Sequence, residues 1–360
     1  MPLDLGSMKF FMGPHTLGAP DNLEDTIVEF IDDAKETLDV AVQELESESI
    51  ARAFVRAKQR GVKIRMVLEG DYLIAEHAVA DPFDMLLKEK NESNRFLIAV
   101  LWRAGIDVRT DYNPKIFHQK FMVRDVEGTR AALLTGSTNF TETGTHNNLN
   151  HIVTIKGKSV AGEYALEFEE LWGGTFGANR LRHDPAPKMP RVSKISMKTI
   201  FAPDHMPEME IMKQMLKGSQ TIDFAIFTFS KSSGIDDTMI ALARAGMSIR
   251  GIADAGQGNQ DWAASRPLAE NGVEFFLARK HGTDLGKLHH KLMVIDGQVT
   301  VVGSFNYTEP ANMLNDENII VIGDLEEDNP ESIENQKAFG AYALAEIDRM
   351  IAKHGEKIVV

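Results

Sequence analysis

Two short segments of the chain carry a histidine and a lysine at the same spacing. The first reads HQKFMVRD from His118 to Asp125, and the second reads HHKLMVID from His289 to Asp296. Residues two apart in a β-strand point to the same face, so the histidine and lysine of each segment lie side by side. Each segment therefore predicts a titratable imidazole next to a fixed cation, a pair suited to a phosphate group.

Both segments are followed by Gly-Ser-x-Asn, a pattern whose side chains can donate hydrogen bonds to phosphate oxygens. It begins at Gly136 and at Gly303, after a connection that is longer in the first copy. The predicted catalytic residues are His118, His289, Lys120 and Lys291. The predicted substrate phosphate-binding residues are Asn139, Asn306, Ser137 and Ser304.

Two such pairs around one phosphate can cleave a phosphodiester without a metal or another cofactor. One imidazole attacks phosphorus and forms a phosphohistidine, which divides a difficult displacement into two easier ones. The other imidazole protonates the leaving oxygen and then activates water. Lysine and asparagine side chains stabilise the charge on the phosphate oxygens. Each half of the chain supplies one histidine, so neither half is expected to work alone.

A metal site is not expected at these segments. His289 and His290 are adjacent, so they point to opposite faces of a strand. The chain contains no cysteine, which excludes thiolate sites and disulfides. Asp125 and Asp296 lie an odd number of residues after the lysines and face away from them. We expect a supporting role for both, through a basic partner or a turn.

The likeness between the two halves extends beyond these motifs. TLDVAVQELES from Thr37 corresponds to TIDFAIFTFSK from Thr221, and both continue into a helix, a glycine turn and an apolar strand. This alternation predicts an α/β fold of two pseudo-symmetric halves, each a mainly parallel or mixed sheet sandwiched by helices. The predicted halves are 8–180 and 195–360, joined by a proline-rich basic linker at 181–194. Equivalent loops would then meet at the interface of the halves and form the active site.

The halves differ most in an insertion at 71–96 of the first half. It contains apolar residues that could form the entrance for a lipid-like substrate, namely Tyr72, Leu73, Phe83, Met85, Leu86 and Leu87. An additional surface hairpin explains the insertion equally well. Basic residues in 278–287, just before the second motif, could form a rim that guides a polyanion.

The composition is that of a globular protein, with 43% hydrophobic and 26% charged residues. The net charge of −14 does not favour non-specific binding of nucleic acid, although a local basic cleft would still allow it. No stretch approaches the length of a transmembrane helix. We expect a cytoplasmic monomer that is internally a pseudo-dimer.

The paired motifs HQKFMVRD…GSTN and HHKLMVID…GSFN resemble the two catalytic motifs of the phospholipase D superfamily. The resemblance covers almost the whole chain, and the phrasing of the motifs is similar to the compact nuclease branch. It implies that His118 and His289 are the nucleophile and the acid/base pair, with a covalent phosphohistidine and no metal requirement. Members with two halves generally use the N-terminal histidine as nucleophile, which implies His118.

The resemblance also implies a residue beyond each asparagine that hydrogen-bonds a histidine. In NDENIIVI this position is Glu317, and in NLNHIVTI it is Asn150. We expect Glu317 to support His289, its neighbour in the second half. A carboxylate partner would raise the basicity of an imidazole more than an amide oxygen does.

Three functions follow from these observations. The first expectation is an endonuclease acting on DNA or RNA, and the alternative is a phospholipase D acting on phospholipid head groups. A non-catalytic scaffold would have broken motifs, whereas both motifs are intact here. Nucleic acid is therefore the first expected partner and phospholipid the second.

Overall fold

A computed structural model of the protein describes residues 1–74, 91–180 and 187–360. Residues 75–90 of the predicted insertion and residues 181–186 of the predicted linker lie outside the described residues. Among the helices that are described, none is long and apolar enough to cross a membrane.

The first half contains a sheet and its covering helices. Its strands are β1 (Leu3–Asp4), β2 (Met8–Gly13), β3 (Thr37–Val42), β4 (Lys63–Leu68), β5 (Asp107–Thr110), β6 (Lys120–Arg124), β7 (Ala132–Gly136) and β8 (Asn150–Lys156). Its helices are α1 (Leu23–Asp32), α2 (Glu48–Gln59), α3 (Glu92–Arg103), α4 (Glu142–His146) and α5 (Lys158–Trp172). Short 3-10 turns lie at His15–Leu17, Gly70–Leu73 and Gly177–Arg180.

The second half repeats this order of elements. Its strands are β9 (Arg191–Val192), β10 (Ile195–Ala202), β11 (Thr221–Ile226), β12 (Ser248–Asp254), β13 (Glu274–Ala278), β14 (Lys291–Ile295), β15 (Val299–Gly303), β16 (Glu317–Ile322) and β17 (Gly355–Lys357). Its helices are α6 (Pro207–Lys217), α7 (Gly234–Arg244), α8 (Ala255–Gly258), α9 (Ser265–Glu270), α10 (Glu309–Met313) and α11 (Pro330–His354).

The two sheets share one strand order. The first is β2-β8-β7-β6-β3-β4-β5 with β1 outside β2, and the second is β10-β16-β15-β14-β11-β12-β13 with β9 and β17 at its two edges. Strands β3, β4 and β5 are parallel, as are β11, β12 and β13, while the motif strands β6 and β14 run antiparallel to their neighbours. The mixed sheets and repeated halves confirm the predicted fold class.

In the part of the chain that the structure describes, three hydrophobic cores fill the space around the sheets. Helices α1 to α3 pack on the outer face of the first sheet, and α6, α7 and α9 pack on the outer face of the second. A central core lies between the sheets and includes α5 and α11. In β6, Phe121 and Val123 enter the central core while Met122 enters the outer one. Both faces of the motif strands are covered, which explains why they are hydrophobic throughout.

The halves also join through their backbones beside the motif strands. Short parallel bridges pair Phe117 with Asp316 and Leu149 with Leu288. The backbone N–H of His118 donates to the carbonyl of Asp316 at 3.0 Å, and that of His289 donates to the carbonyl of Leu149 at 2.9 Å. The start of each motif strand is therefore held by the opposite half.

The two motif aspartates close the far ends of the same strands. Asp125 and Asp296 have φ angles of 51° and 50°. These lie in the left-handed region that aspartate and asparagine tolerate better than most residues. The carboxylate of Asp125 accepts the backbone N–H groups of residues 35–37 at 2.7 to 3.2 Å. That of Asp296 accepts those of residues 219–221 at 2.8 Å. Each aspartate thus fixes the loop that enters the neighbouring strand, β3 or β11.

We predict that Asp125→Ala destabilises the fold by about 1.5–3 kcal/mol, because backbone donors lose a charged acceptor. Urea unfolding followed by circular dichroism measures this change. The control is Asp107→Ala, at an exposed position of β5. It should change stability by less than about 0.5 kcal/mol. Equal stability of the two variants would contradict the structural role of Asp125.

Candidate active site

The two motif histidines lie side by side at the interface of the halves. The ring centroids of His118 and His289 are 6.3 Å apart, and the ring planes are inclined at 72°. Only 6% and 8% of their surfaces are exposed. The backbone bridges between the halves produce this approach, since each histidine directly follows a bridged residue, Phe117 or Leu288.

The two lysines lie beside the histidines and are almost completely buried. Lys120 Nζ donates to Gln43 Oε1 at 2.9 Å and to the carbonyl of His118 at 2.7 Å. Lys291 Nζ donates to the carbonyl of His289 at 2.9 Å. Burial lowers the pKa of Lys120 to about 7, against the opposing effect of Glu317 and other carboxylates. Burial and the charge of Lys120 lower the pKa of Lys291 well below its usual range.

Burial also lowers the pKa of both histidines well below the ordinary value. The charges of Lys120 and Lys291 add to this effect at His118, and the same two lysines act on His289. A pocket in which cations and imidazoles lower one another's pKa favours an anionic ligand, because a phosphate would relieve their mutual repulsion.

Glu317 contacts His118 rather than His289. The distance from His118 Nδ1 to Glu317 Oε2 is 2.7 Å, and Glu317 is fully buried. The expectation that Glu317 supports His289 is therefore wrong. The physical reason is the pairing of the halves, which places the first residue of β16 against the segment that leads into β6. Burial raises the pKa of Glu317 to about 8, opposed by Lys120 and by a hydrogen bond from Ser304.

Asn150 occupies the equivalent position on the other histidine. His289 Nδ1 lies 3.0 Å from Asn150 Oδ1 and 3.1 Å from the carbonyl of Ser137. Both partners are acceptors, so Nδ1 of His289 carries the hydrogen and Nε2 is the atom available to react. His118 faces a carboxylate and His289 faces an amide, which makes the two rings chemically different.

The serines support these partners instead of pointing at the phosphate position. Ser137 Oγ donates to Asn150 Oδ1 at 2.8 Å, and Ser304 Oγ donates to Glu317 Oε2 at 2.6 Å. Both serines are fully buried. The prediction that their hydroxyls bind phosphate is corrected, because each hydroxyl is engaged behind a histidine.

The asparagines lie at the edge of the pocket. Asn139 Nδ2 donates to Gln43 Oε1 at 3.4 Å, which places it next to the acceptor of Lys120. Asn306 Oδ1 accepts the backbone N–H of Thr228 at 3.3 Å, and this bond engages the amide oxygen rather than the N–H₂ group of the side chain. Both positions are compatible with donation to a bound phosphate.

Two buried carboxylates that sequence reasoning missed hold the segments just before the histidines. Glu69 Oε2 accepts the backbone N–H of Phe117 at 2.6 Å, and Asp254 Oδ2 accepts that of Leu288 at 3.1 Å. Burial, together with the charge of Asp111, raises the pKa of Glu69 to about 7. The signal was present in the repeat, since both carboxylates occupy equivalent positions at the ends of β4 and β12.

The two sides of the pocket differ in chemistry. On the second-half side, the ring of Phe227 lies 4.9 Å from the ring of His289, and Lys287 Nζ lies 5.5 Å from the centre of the Phe227 ring. On the first-half side, the equivalent position is Gln43, whose Nε2 donates to the hydroxyl of Tyr72 at 3.2 Å. The predicted basic rim thus places Lys287 close to the site.

A possible metal-binding group lies elsewhere. Within the described ranges, Glu24, Glu142 and His146 bring one ligand atom each within 4.8 Å of one another. These residues belong to α1 and α4 and do not include either motif.

Comparison with known proteins gives a consistent family. The family described as "Cardiolipin synthase, PLD-like domain" matches residues 27–172 and 211–333. The mitochondrial cardiolipin hydrolase of Xenopus tropicalis is 31% identical over 139 residues, which are 39% of this chain and 56% of that protein. A phospholipase D of Rickettsia felis is 29% identical over 134 residues, which are 37% of this chain and 56% of that protein. The chain spans about half the length of the curated relatives it matches.

Solved structures of other proteins share the fold. Phosphatidylserine synthase of Haemophilus influenzae superposes with a TM-score of 0.66 at 14% identity, covering 99% of this chain and 88% of that one. Polyphosphate kinase of Porphyromonas gingivalis superposes with a TM-score of 0.60 at 13% identity, covering 88% of this chain and 45% of that one. At these identities the likeness concerns the fold alone.

We predict that Glu317→Gln perturbs the Nδ1–H resonance of His118 and leaves that of His289 in place, because the carboxylate binds across the interface. Nitrogen-15 histidine NMR measures both rings. Asn150→Ala is the matched control and should perturb His289 instead. A shift of His289 in Glu317→Gln with no change at His118 would contradict the cross-half pairing.

Proposed function

The chain belongs to the phospholipase D-like family, and on that premise we propose that it hydrolyses phosphodiesters through a phosphohistidine intermediate without a metal ion. The observation that supports this most directly is the pair of imidazoles 6.3 Å apart, each beside a buried lysine. A phosphate between the rings would contact a nucleophile on one side and an acid on the other.

In the first step, Nε2 of His118 attacks phosphorus and the bond from phosphorus to the leaving oxygen breaks. His289, protonated at Nε2, gives its proton to that oxygen, so the alcohol leaves neutral. In its ionised form, Glu317 accepts the Nδ1–H of His118 and stabilises the positive charge that develops on this ring when its nitrogen bonds to phosphorus.

In the second step, water attacks the phosphohistidine. Neutral Nε2 of His289 removes a proton from the water, the phosphorus–nitrogen bond breaks, and His118 is restored. The product phosphomonoester leaves with the oxygen of the water. His289 therefore ends the cycle protonated and ready for the next substrate.

The difference between Glu317 and Asn150 supports this division of roles. A carboxylate stabilises a ring that becomes positive on phosphorylation, which is the need of the nucleophile His118. An amide oxygen orients His289 but stabilises its protonated form less than a carboxylate would. This suits an acid, which must release the proton on Nε2. Lys120 and Lys291 supply the positive charge around the phosphate that a metal ion would supply in other phosphodiesterases.

We favour a phospholipid as the substrate. Curated relatives are named as a cardiolipin hydrolase and a phospholipase D, and both names refer to phospholipids. The net charge of −14 disfavours a long polyanion such as DNA or RNA. Tyr72, at the start of the insertion, lies two hydrogen bonds from Lys120 through Gln43, so the insertion begins beside the pocket.

An endonuclease, the first expectation from the sequence, is the second candidate. The specific observation in its favour is Phe227, whose ring lies against His289 and has Lys287 over its face. An aromatic ring next to a cation can stack a base and contact the adjoining phosphate.

We predict that His289→Asn accumulates a phosphorylated His118 during turnover of bis(p-nitrophenyl) phosphate in excess EDTA, because water is no longer activated. Mass spectrometry of rapidly quenched protein measures the adduct. His118→Asn should form no adduct and should lose at least about 10³-fold in kcat/KM, since the nucleophile is absent. His15→Gln, an exposed position, serves as the control and should match the wild type.

An adduct on His289 in the His118→Asn variant would reverse the two roles. Hydrolysis that depends on a divalent cation and survives His118→Asn would contradict the proposed mechanism altogether.

A substrate panel in excess EDTA tests the substrate class. We expect release of head group from vesicles that contain phosphatidylcholine, phosphatidylglycerol or cardiolipin, and His118→Asn should abolish it. Single-stranded and double-stranded DNA and RNA are the comparison arms. Cleavage of nucleic acid with intact lipids would establish the nuclease instead, and cleavage of neither with retained activity on the synthetic diester would exclude both.

A further inference from the structure

Behind the acid/base histidine lies a second, fully buried pair of histidines. The rings of His151 and His290 stack at 5.4 Å with an angle of 4° between their planes, and their Nδ1 atoms are 3.1 Å apart. Both side chains have 0% exposure. His151 follows Asn150 in β8 of the first half. His290 lies between His289 and Lys291 in the second half, so the pair bridges the two halves.

A continuous chain of polar contacts connects this pair to His289. His151 Nδ1 lies 3.3 Å from Ser137 Oγ, which donates to Asn150 Oδ1 at 2.8 Å. Asn150 Oδ1 in turn lies 3.0 Å from His289 Nδ1. The buried pair therefore contacts the residues that orient the acid/base ring, and a change in its protonation would alter those contacts.

The far side of the pair faces charges on α11. His290 Nε2 lies 3.7 Å from Glu346 Oε1, and Glu346 is 3% exposed. Arg349 donates to both oxygens of Glu346 at 2.6 and 2.7 Å. The positive charge of Lys291 in β14 contributes to lowering the pKa of both rings. Tyr342 lies one turn earlier on the same helix, and its pKa is raised by burial, with a contribution from the charge of Glu346.

Behind His118, the equivalent pair is built from two amides that do not titrate, Gln119 of the first half and Asn318 of the second. Asn318 Nδ2 donates to Gln119 Oε1 at 2.7 Å, and Gln119 Nε2 donates to Glu167 Oε1 at 3.3 Å. Glu167 lies on α5, as Glu346 lies on α11. Asn318 Oδ1 accepts from the hydroxyls of Thr135 and Tyr164 at 2.8 and 2.9 Å. A pair of amides therefore suffices to join the halves, and histidine adds a proton site that this packing does not require.

An added proton would change the hydrogen bonds that this pair makes. Ser137 donates to Asn150, so His151 Nδ1–H is the donor toward Ser137 and toward Nδ1 of His290. Neutral His290 then carries its hydrogen on Nε2, facing Glu346. A second hydrogen on Nδ1 of His290 would oppose the Nδ1–H of His151, so His151 would have to move its hydrogen to Nε2 and stop donating to Ser137.

Burial keeps both rings neutral at neutral pH. It lowers the pKa of His290 below the ordinary value, with Glu346 acting in the opposite direction. It lowers the pKa of His151 well below that value, and the charges of His290 and Lys291 add to the effect. Of the two rings, His290 is the one whose added charge has a carboxylate beside it.

We propose that His151 and His290 are positioning residues for His289, and that uptake of one proton by this pair disables the reaction in acid. The inference rests on the proposed function, in which His289 is the acid/base residue. Acid would then act twice, once by protonating the nucleophile and once by breaking the contact from His151 to Ser137.

The test replaces the pair with the amides found behind His118, as the double variant His151→Asn, His290→Gln. The rate of hydrolysis of bis(p-nitrophenyl) phosphate is measured from pH 8 down to pH 4.5, with folding checked by circular dichroism at each pH. The wild type should lose activity by ~100-fold per pH unit at the acid end, since two protons must be released, and the double variant by ~10-fold. At pH 8 the two should agree within about threefold.

His15→Gln is the control and should follow the wild-type profile. Superposition of the acid limbs of wild type and double variant would overturn the proposal and leave the pair as packing.

A second measurement needs neither a variant nor turnover. Nitrogen-15 NMR of the wild type should show the rings of His151 and His290 taking up one proton between them, with the signal of His289 changing at the same midpoint. Rings that stay neutral over the whole range in which the protein is folded would overturn the proposal. If no diester is hydrolysed at any pH, the proposed function fails, and this titration still decides whether the pair is linked to His289.

Discussion

The structure depends on an exchange of hydrogen bonds between its two halves. His118 of the first half binds Glu317 of the second, and His289 of the second half binds Asn150 of the first. The backbone N–H of each histidine is also held by the opposite half. A central core shared by both sheets keeps these contacts buried, so the orientation of each ring depends on the packing of the whole molecule. The site therefore forms only when the halves are assembled.

The two halves share one backbone arrangement, but the side chains at equivalent positions around the site differ. One histidine faces a carboxylate and the other an amide, and the strand beside the pocket carries Gln43 in one half and Phe227 in the other. Behind the rings, amides occupy one side and histidines the other. A two-step reaction requires such differences, because a nucleophile and an acid need different proton affinities within one pocket.

Much of the fold and of the candidate site could be predicted from the sequence, because the two halves repeat the same local patterns. The two His-x-Lys motifs, the alternation of strands and helices and the meeting of both motifs are encoded in short segments compared with each other. The partner of each histidine could not be predicted, because Glu317 lies far from His118 in sequence and reaches it only through the bridge between Phe117 and Asp316. For the same reason, the contact of His290 with His151 across the interface could not be predicted.

The central claim is that one phosphate binds between the two halves, and a crystal structure with a phosphate-like oxyanion such as tungstate tests it most directly. The account predicts a single anion within bonding distance of Nε2 of His118 and hydrogen-bonded to Nε2 of His289 and to the ammonium groups of Lys120 and Lys291. Glu317 should remain on Nδ1 of His118. An anion bound by one half alone, or a pocket in which Glu317 binds His289, would contradict it.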